Sequence, residues 1–246
     1  MSVSDMKGKF IKPTLKKVSK YENKFAKLQE KHGVPIAFIC GSPFTHAANL
    51  CGVEQFLFWI GKAPQAVHKA MRLMTDHILQ VAEYFIQTFG KGRVIARSAA
   101  PTDGLVSPRQ FKEFALPYLK ELHGKVLDMG VKSVYCHICG EQNHLLDLWA
   151  EVPFGDPGML SFGHEVDILT AAKYFPNHII AGNVDPKLIQ QGPAEEIYEQ
   201  SRLAIEKGRQ CPGGYVLMGG CEIPQTTPPY HMYLMSKARE EFGWFD

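Results

Sequence analysis

From residue 34 onward, short apolar runs alternate with longer stretches whose apolar residues recur every three or four positions. The runs cover 35–40, 93–98, 133–139, 159–164, 178–184 and 215–221, and helical spacing covers 64–89, 108–129, 143–150, 168–175 and 194–207. Near-continuous apolar runs of this length predict strands buried on both faces. Strands of that kind separated by helices predict a parallel sheet between helix layers. Cys40, Ser98, His137 with Cys139, His164, Asn183 with Asp185, and Cys221 all fall at or near the C-terminal ends of these strands. In a (β/α) barrel those ends converge on one rim, whereas an open doubly wound sheet uses only the crevice at its switch point. The expected fold class is therefore α/β, a TIM-type (β/α) barrel built by residues 34–246 as one domain.

Ahead of it, residues 1–33 carry nine Lys against Asp5, Glu22 and Glu30, a balance of +6 in a chain whose net charge is +2, which leaves −4 for the rest. Leu15, Val18, Tyr21, Phe25 and Leu28 are spaced by three and four. That pattern predicts an amphipathic helix packed on the core, with a docking arm for an acidic partner protein as the alternative. At the other end, Met232, Tyr233, Leu234 and Met235 follow Pro228 and Pro229. They read as a last helix packing on the barrel, started by the prolines.

The chain is 45% hydrophobic and 21% charged, the make-up of a globular protein. No apolar run reaches the roughly 18 residues of a membrane span. The Lys-rich start has no apolar stretch of the secretory kind, so the expectation is a cytoplasmic protein. The near-neutral charge gives no reason to expect a nucleic-acid partner. No phosphate-cradling glycine motif is present. The six cysteines are too sparse for a disulfide framework and are expected as reduced thiols, either buried or serving as ligands.

The stretch SVYCHICG at 133–140 carries the candidate chemistry. In a strand, residues i and i+2 share a face, so His137 and Cys139 aim together while Cys136 and Ile138 point the other way. Cys221 ends another strand, and only a barrel brings it to the same place. One imidazole and two thiolates would make a zinc set with an open fourth position, the catalytic arrangement rather than the structural one, and soft thiolates disfavour Mg²⁺ and Mn²⁺. The plainer reading, a satisfied polar residue beside buried thiols, stands beside it at this point.

Several stretches taken together resemble the uroporphyrinogen decarboxylase superfamily over about residues 34–240. They are GSPFT at 41–45, LVSPRQF at 105–111 with LPY at 116–118, AGNVDP at 181–186, GGYVLMGGCEIP at 213–224 and TPP at 227–229. The decarboxylases have Gly-His-Gly near 220–222 and no His-x-Cys on the middle strand. This chain is more similar to the methylcobalamin:coenzyme M methyltransferase branch. That resemblance implies Zn²⁺ held by His137, Cys139 and Cys221, and transfer of a methyl group between a corrinoid and a thiol-type acceptor. The corrinoid (methylcobalamin) would be carried by a separate protein docking over the barrel mouth, since the carrier motif D-x-H-x-x-G is absent here.

The branch has an acidic residue where this chain has Ser98. Asp103, five residues on, is the candidate to substitute. His164 is expected to line the pocket, and Glu222 follows a ligand and would orient it. Asn183 and Asp185 belong to the Gly-Asn-x-Asp-Pro turn, Asn183 facing the pocket as a cofactor-binding candidate and Asp185 either joining it or only capping the following helix. Family members are longer, with a first strand and a lid before residue 33 that have no counterpart here. A sheet with open edges is expected to be sealed by self-association, by a second polypeptide, or by residues 1–33. The other functions in view are tetrapyrrole decarboxylation and a non-catalytic, zinc-containing partner of a corrinoid protein.

Overall fold

A computed structural model of the protein describes residues 31–33, 36–39, 41–99, 101 and 104–244, with the backbone alone for 36–39. Six parallel strands run in sequence order across one sheet: β1 (Ile36–Ile39), β2 (Val94–Ala99), β3 (Val134–Ile138), β4 (Met159–Phe162), β5 (Ile179–Val184) and β6 (Tyr215–Gly219). Five lie within the expected apolar runs, and β2 extends one residue past its run, to Ala99. Sequential parallel order is that of a (β/α) barrel and not of a doubly wound sheet. Among the described residues β1 and β6 are the two edges, so the curl is open there.

The helices are α1 (Pro43–Cys51), α2 (Val53–Lys62), α3 (Pro64–Phe89), α4 (Pro108–Phe114), α5 (Leu116–Asp128), α6 (Leu146–Trp149), α7 (Ile168–Tyr174), α8 (Pro186–Gln191), α9 (Ala194–Gly208) and α10 (Pro229–Phe242). The single helix expected over 108–129 is broken between α4 and α5. Pro117 falls in the first turn of α5, where its missing N–H and its clash with the preceding residue rule out a continuous helix. Over 143–150 only α6 forms, because Leu145 N–H bonds back to the Gln142 carbonyl and Asn143 is held by side-chain bonds in the loop. Ser42 caps α1, Ser107 and Gln110 form a capping box on α4, Asp167 caps α7 and Asp185 caps α8. Helix α10 starts at the expected Pro229 and buries Leu234, Met235 and Ala238. No described helix is long and apolar enough to cross a membrane.

Strand register sorts the side chains into two faces. Cys136, Ile138, Leu160, Phe162, Ile180 and Val184 are buried against the helices, in one core with Phe111, Trp149, Phe154 and Phe175. The opposite, inner face carries a row that crosses the sheet: Ala99 pairs with His137, His137 with Ser161, Ser161 with Ala181, and Ala181 with Val216. Below it lie Arg97 and Tyr135 as paired neighbours, with the Arg97 guanidinium 5.8 Å from the centre of the Tyr135 ring. Arg97, Tyr135, His137 and Ser161 therefore collect on the concave side.

Candidate metal centre

His137 stands on the inner face of β3, and Cys139 follows one residue past the end of that strand. Cys221 lies two residues past β6. The ligating atoms of these three residues all fall within 4.8 Å of one another. Cys221 Sγ is 3.6 Å from His137 Nε2. Zn–N of about 2.05 Å and Zn–S of about 2.3 Å at a tetrahedral angle put nitrogen and sulfur about 3.6 Å apart. The His137–Cys221 edge thus has the length that a zinc ion needs. Cys136, expected to point away, is fully buried on the helix side.

The imidazole is oriented from behind. His137 Nδ1 is 2.8 Å from Ser161 Oγ, which is itself 3.1 Å from the Tyr135 hydroxyl. This leaves Nε2 turned toward the sulfurs, the ring placement found in histidines that bind a metal through Nε2. Cys139 is held through its backbone. The buried Gln142 donates from Nε2 to the carbonyl oxygens of Cys139, at 3.0 Å, and Pro101, at 3.1 Å, while its Oε1 accepts from Trp149 Nε1. Close backbone approach finishes the site. A Cβ on Gly220 would lie 2.8 Å from His164 N, and one on Gly163 would lie 2.8 Å from Gly140 N, so the ends of β3, β4 and β6 meet through glycines.

Burial sets the protonation of the donors. Burial, and secondly the Arg97 charge, hold His137 below the ordinary histidine pKa, with Glu222 opposing, so the ring is the neutral donor a metal requires. Burial pushes the Cys139 thiol up to about 11, with the neighbouring Cys221 and Glu165 adding to it. Unaided, that thiol stays protonated. A bound dication reverses the effect and makes it a thiolate outright.

The remaining expected residues are placed as follows. His164 is part-exposed on the rim, its Nδ1 3.6 Å from Glu165 Oε2 and 3.9 Å from Asp185 Oδ1. Asn183 Nδ2 donates to the carbonyls of Gly163 and Val166, so its amide holds the turn after β4. Asp185 accepts from Lys187 N–H as the cap of α8. Glu222 is exposed beside Cys221, its charge felt at His137. Glu141, two residues past Cys139, accepts from Gln142 and Asn143 of its own loop. Ser98 requires a correction. Arg97 and Ala99 face the concave side, so Ser98 between them faces the helices, fully buried, with Oγ 3.4 Å from the Gly41 carbonyl oxygen. Asp103, Cys40 and residues 1–30 lie outside the described residues.

Sequence reasoning missed Ser161, Tyr135, Gln142 and Glu165. Tyr135 was within reach, two residues before His137 on the same face. Ser161 becomes visible only once the β3–β4 register is known.

A cavity of about 830 Å³ opens beside Cys221, along β6 and α10, lined in part by Val216, Met218, Glu222, Met232 and Arg239. A second, of about 530 Å³, lies under His164, Asn183 and Asp185.

Among known proteins, the family model described as Uroporphyrinogen decarboxylase (URO-D) matches residues 6–242. The methylcobamide:CoM methyltransferase MtaA of Methanosarcina barkeri is 27% identical over 220 residues, covering 87% of this chain and 61% of that protein. A solved methyltransferase from Methanosarcina mazei superposes with a TM-score of 0.72 at 25% identity, covering 88% of this chain and 62% of that one. A short similarity of another kind links 31 residues, 13% of this chain, to troponin I of Astacus leptodactylus at 81% identity, over 15% of that protein. The chain spans about three fifths of the length of the two methyltransferases it matches.

Proposed function

The chain belongs to the uroporphyrinogen decarboxylase family, and on that premise we propose that it is a zinc-dependent methyltransferase, moving a methyl group between a corrinoid carried by a separate protein and a thiol-type acceptor. The observation that carries this reading is the convergence of His137, Cys139 and Cys221 from two separate strand ends, within 4.8 Å. Relatives of comparable identity include uroporphyrinogen decarboxylases as well as methyltransferases, so the donor set, not the identity, is what favours methyl transfer.

The residues fit zinc by donor type, by the length of the His137–Cys221 edge and by the open fourth position. Held there, zinc would supply Lewis acidity that lowers the pKa of an acceptor thiol, so that it is presented as a nucleophile at neutral pH. The protein's own part is positional. Ser161 fixes the imidazole, Gln142 fixes the Cys139 backbone, and Gly220 lets the Cys221 loop approach the rim. Cys221 is the exposed member of the set and marks the open side, where acceptor and corrinoid approach. Behind the half-buried Cys139 lies the fully buried Gln142, bonded to the Cys139 and Pro101 carbonyls.

Two measurements test this. Metal analysis is expected to give about one zinc per chain, lost in Cys139→Ser. Incubation with methylcobalamin and added thiols is expected to remove the methyl–cobalt absorbance in the native protein and not in the variant. Zinc retained unchanged in Cys139→Ser rejects the ligand set. Zinc bound without demethylation rejects turnover and leaves a zinc-containing partner of a corrinoid protein.

A further inference from the structure

The two sulfurs of the donor set sit in unlike surroundings. Cys221 is exposed and Cys139 half-buried, and their Sγ atoms are no more than 4.8 Å apart. Of the other described cysteines, Cys136 and Cys211 are buried and Cys51 belongs to α1, away from the strand ends. Both ligand cysteines lie beyond the hydrogen-bonded ends of their strands. Cys139 is followed by Gly140 at φ +75°, and Cys221 is preceded by Gly219 and Gly220. The Cys139 backbone is fixed by Gln142, so the Cys221 side chain and its loop are the parts that shift. Closing the gap to an S–S bond of about 2.05 Å is therefore a matter of side-chain rotation and small loop shifts.

From this arrangement we propose that the metal-free site is a reversible peroxide-sensitive switch, with Cys221 as the thiol that reacts first and Cys139 as the thiol that resolves it. The Cys221 thiol takes one oxygen from a hydroperoxide, becoming a sulfenic acid and releasing water when the oxidant is hydrogen peroxide. The Cys139 thiol gives up its proton as its sulfur attacks the Cys221 sulfur, forming the disulfide, and the departing hydroxyl takes that proton and leaves as a second water. Overall two thiols are oxidised and one peroxide is reduced. The product lacks two of the three donors, so it cannot hold the metal. A dithiol reverses the step. An ion in the site engages both sulfurs and blocks it.

The order of events follows from access. A peroxide reaches the exposed sulfur, while Cys139 is shielded behind it and lies in place to trap the product before further oxidation. His137 Nε2, 3.6 Å from Cys221 Sγ, holds that exposed sulfur on the side of the site where Cys139 lies. The inference goes beyond the proposed transferase activity. It rests on the metal reading only for the protection that zinc confers.

The test is covalent mapping of the full chain. Chelator-treated protein is exposed to hydrogen peroxide, blocked with an alkylating agent, digested without reduction and analysed by mass. The expected result is loss of two free thiols, a peptide joining Cys139 to Cys221 that is lighter by two hydrogens than the sum of its parts, and recovery with dithiothreitol. Zinc-loaded protein is expected to show little of this link. In Cys139→Ser, Cys221 is expected to stop at the sulfenic acid and be captured by dimedone. A link from Cys221 to any other cysteine, or passage to the sulfinic acid with no link, overturns the proposal. Equal crosslinking with and without added zinc, when metal analysis shows zinc bound, overturns the protective role. Failure to bind zinc at all defeats the transferase reading, while the crosslink is still read on the same protein.

Discussion

His137 and Ser161 are cross-strand partners in the β3–β4 register, and the imidazole Nδ1 is 2.8 Å from the serine Oγ. The pair is a consequence of parallel pairing: a residue on the inner face of one strand has its neighbour on the inner face of the next. It fixes which nitrogen of His137 is free for a ligand.

Ser161→Ala is accordingly expected to weaken zinc binding by about 10- to 100-fold, the range seen when the partner of a ligating histidine is removed. Tyr135→Phe, which removes only the hydroxyl bonded to Ser161, is expected to cost less. Competition against a chromophoric chelator measures both. An unchanged affinity in Ser161→Ala would mean that the ring is held by packing alone.

Gln142 ties three elements together through one buried amide. Gln142→Leu strands the Trp149 indole N–H and two carbonyl oxygens, each at a cost of about 1–3 kcal/mol when left unpaired in the interior. A loss of about 3 kcal/mol in urea unfolding of the zinc-free protein is expected, with weaker zinc binding besides. A variant as stable as the native protein would show that water replaces the amide without penalty.

Much of the architecture was readable before any coordinates. The six strands match apolar runs that alternate with helical spacing, β2 to within one residue, and the i, i+2 rule was enough to send His137 and Cys139 to one face and Cys136 to the other. Cys221 needed the barrel. What stayed hidden depends on pairing and loop path. Ser161 is defined by register, and Gln142 by a loop that turns back under β3. Ser98 was misplaced because matching it to the family by strand end ignores which way an odd or even residue points. Helices α1, α2 and α8 were missed because they are short, and in α2 the apolar residues are too dense to show a periodic stripe. Their start signals were nonetheless present in Ser42-Pro43 and Asp185-Pro186.

His123 makes stability depend on pH. It is fully buried, with Nδ1 3.0 Å from the Pro153 carbonyl oxygen and with Nε2 unpartnered, and burial pushes its pKa down to about 4. Unfolded, the ring has the ordinary value of about 6.5, so between those values the unfolded chain binds more protons and gains on the folded one. The contribution is whole above about pH 6.5 and falls as pH drops toward 4, a loss of roughly 3 kcal/mol. His123→Leu is expected to flatten the dependence of the urea midpoint on pH across that window. A native protein no more acid-sensitive than the variant would rule the mechanism out.

The open edges make the last expectation. β1 and β6 each present one side without a partner strand among the described residues, and Val216, on the inner face of β6, is 42% exposed although its row-mates Ala181 and Ser161 are buried. Exposed backbone donors and acceptors beside apolar side chains favour pairing with another chain. We expect self-association through the β6 edge, with a light-scattering mass of at least twice the 27.6 kDa of the chain. Val216→Lys puts a charge where a neighbouring strand would bury it, and is expected to shift the protein toward the monomer without loss of zinc, since residue 216 contributes no donor. A single, stable species at the monomer mass in the native protein would show that the edge is protected from within the chain.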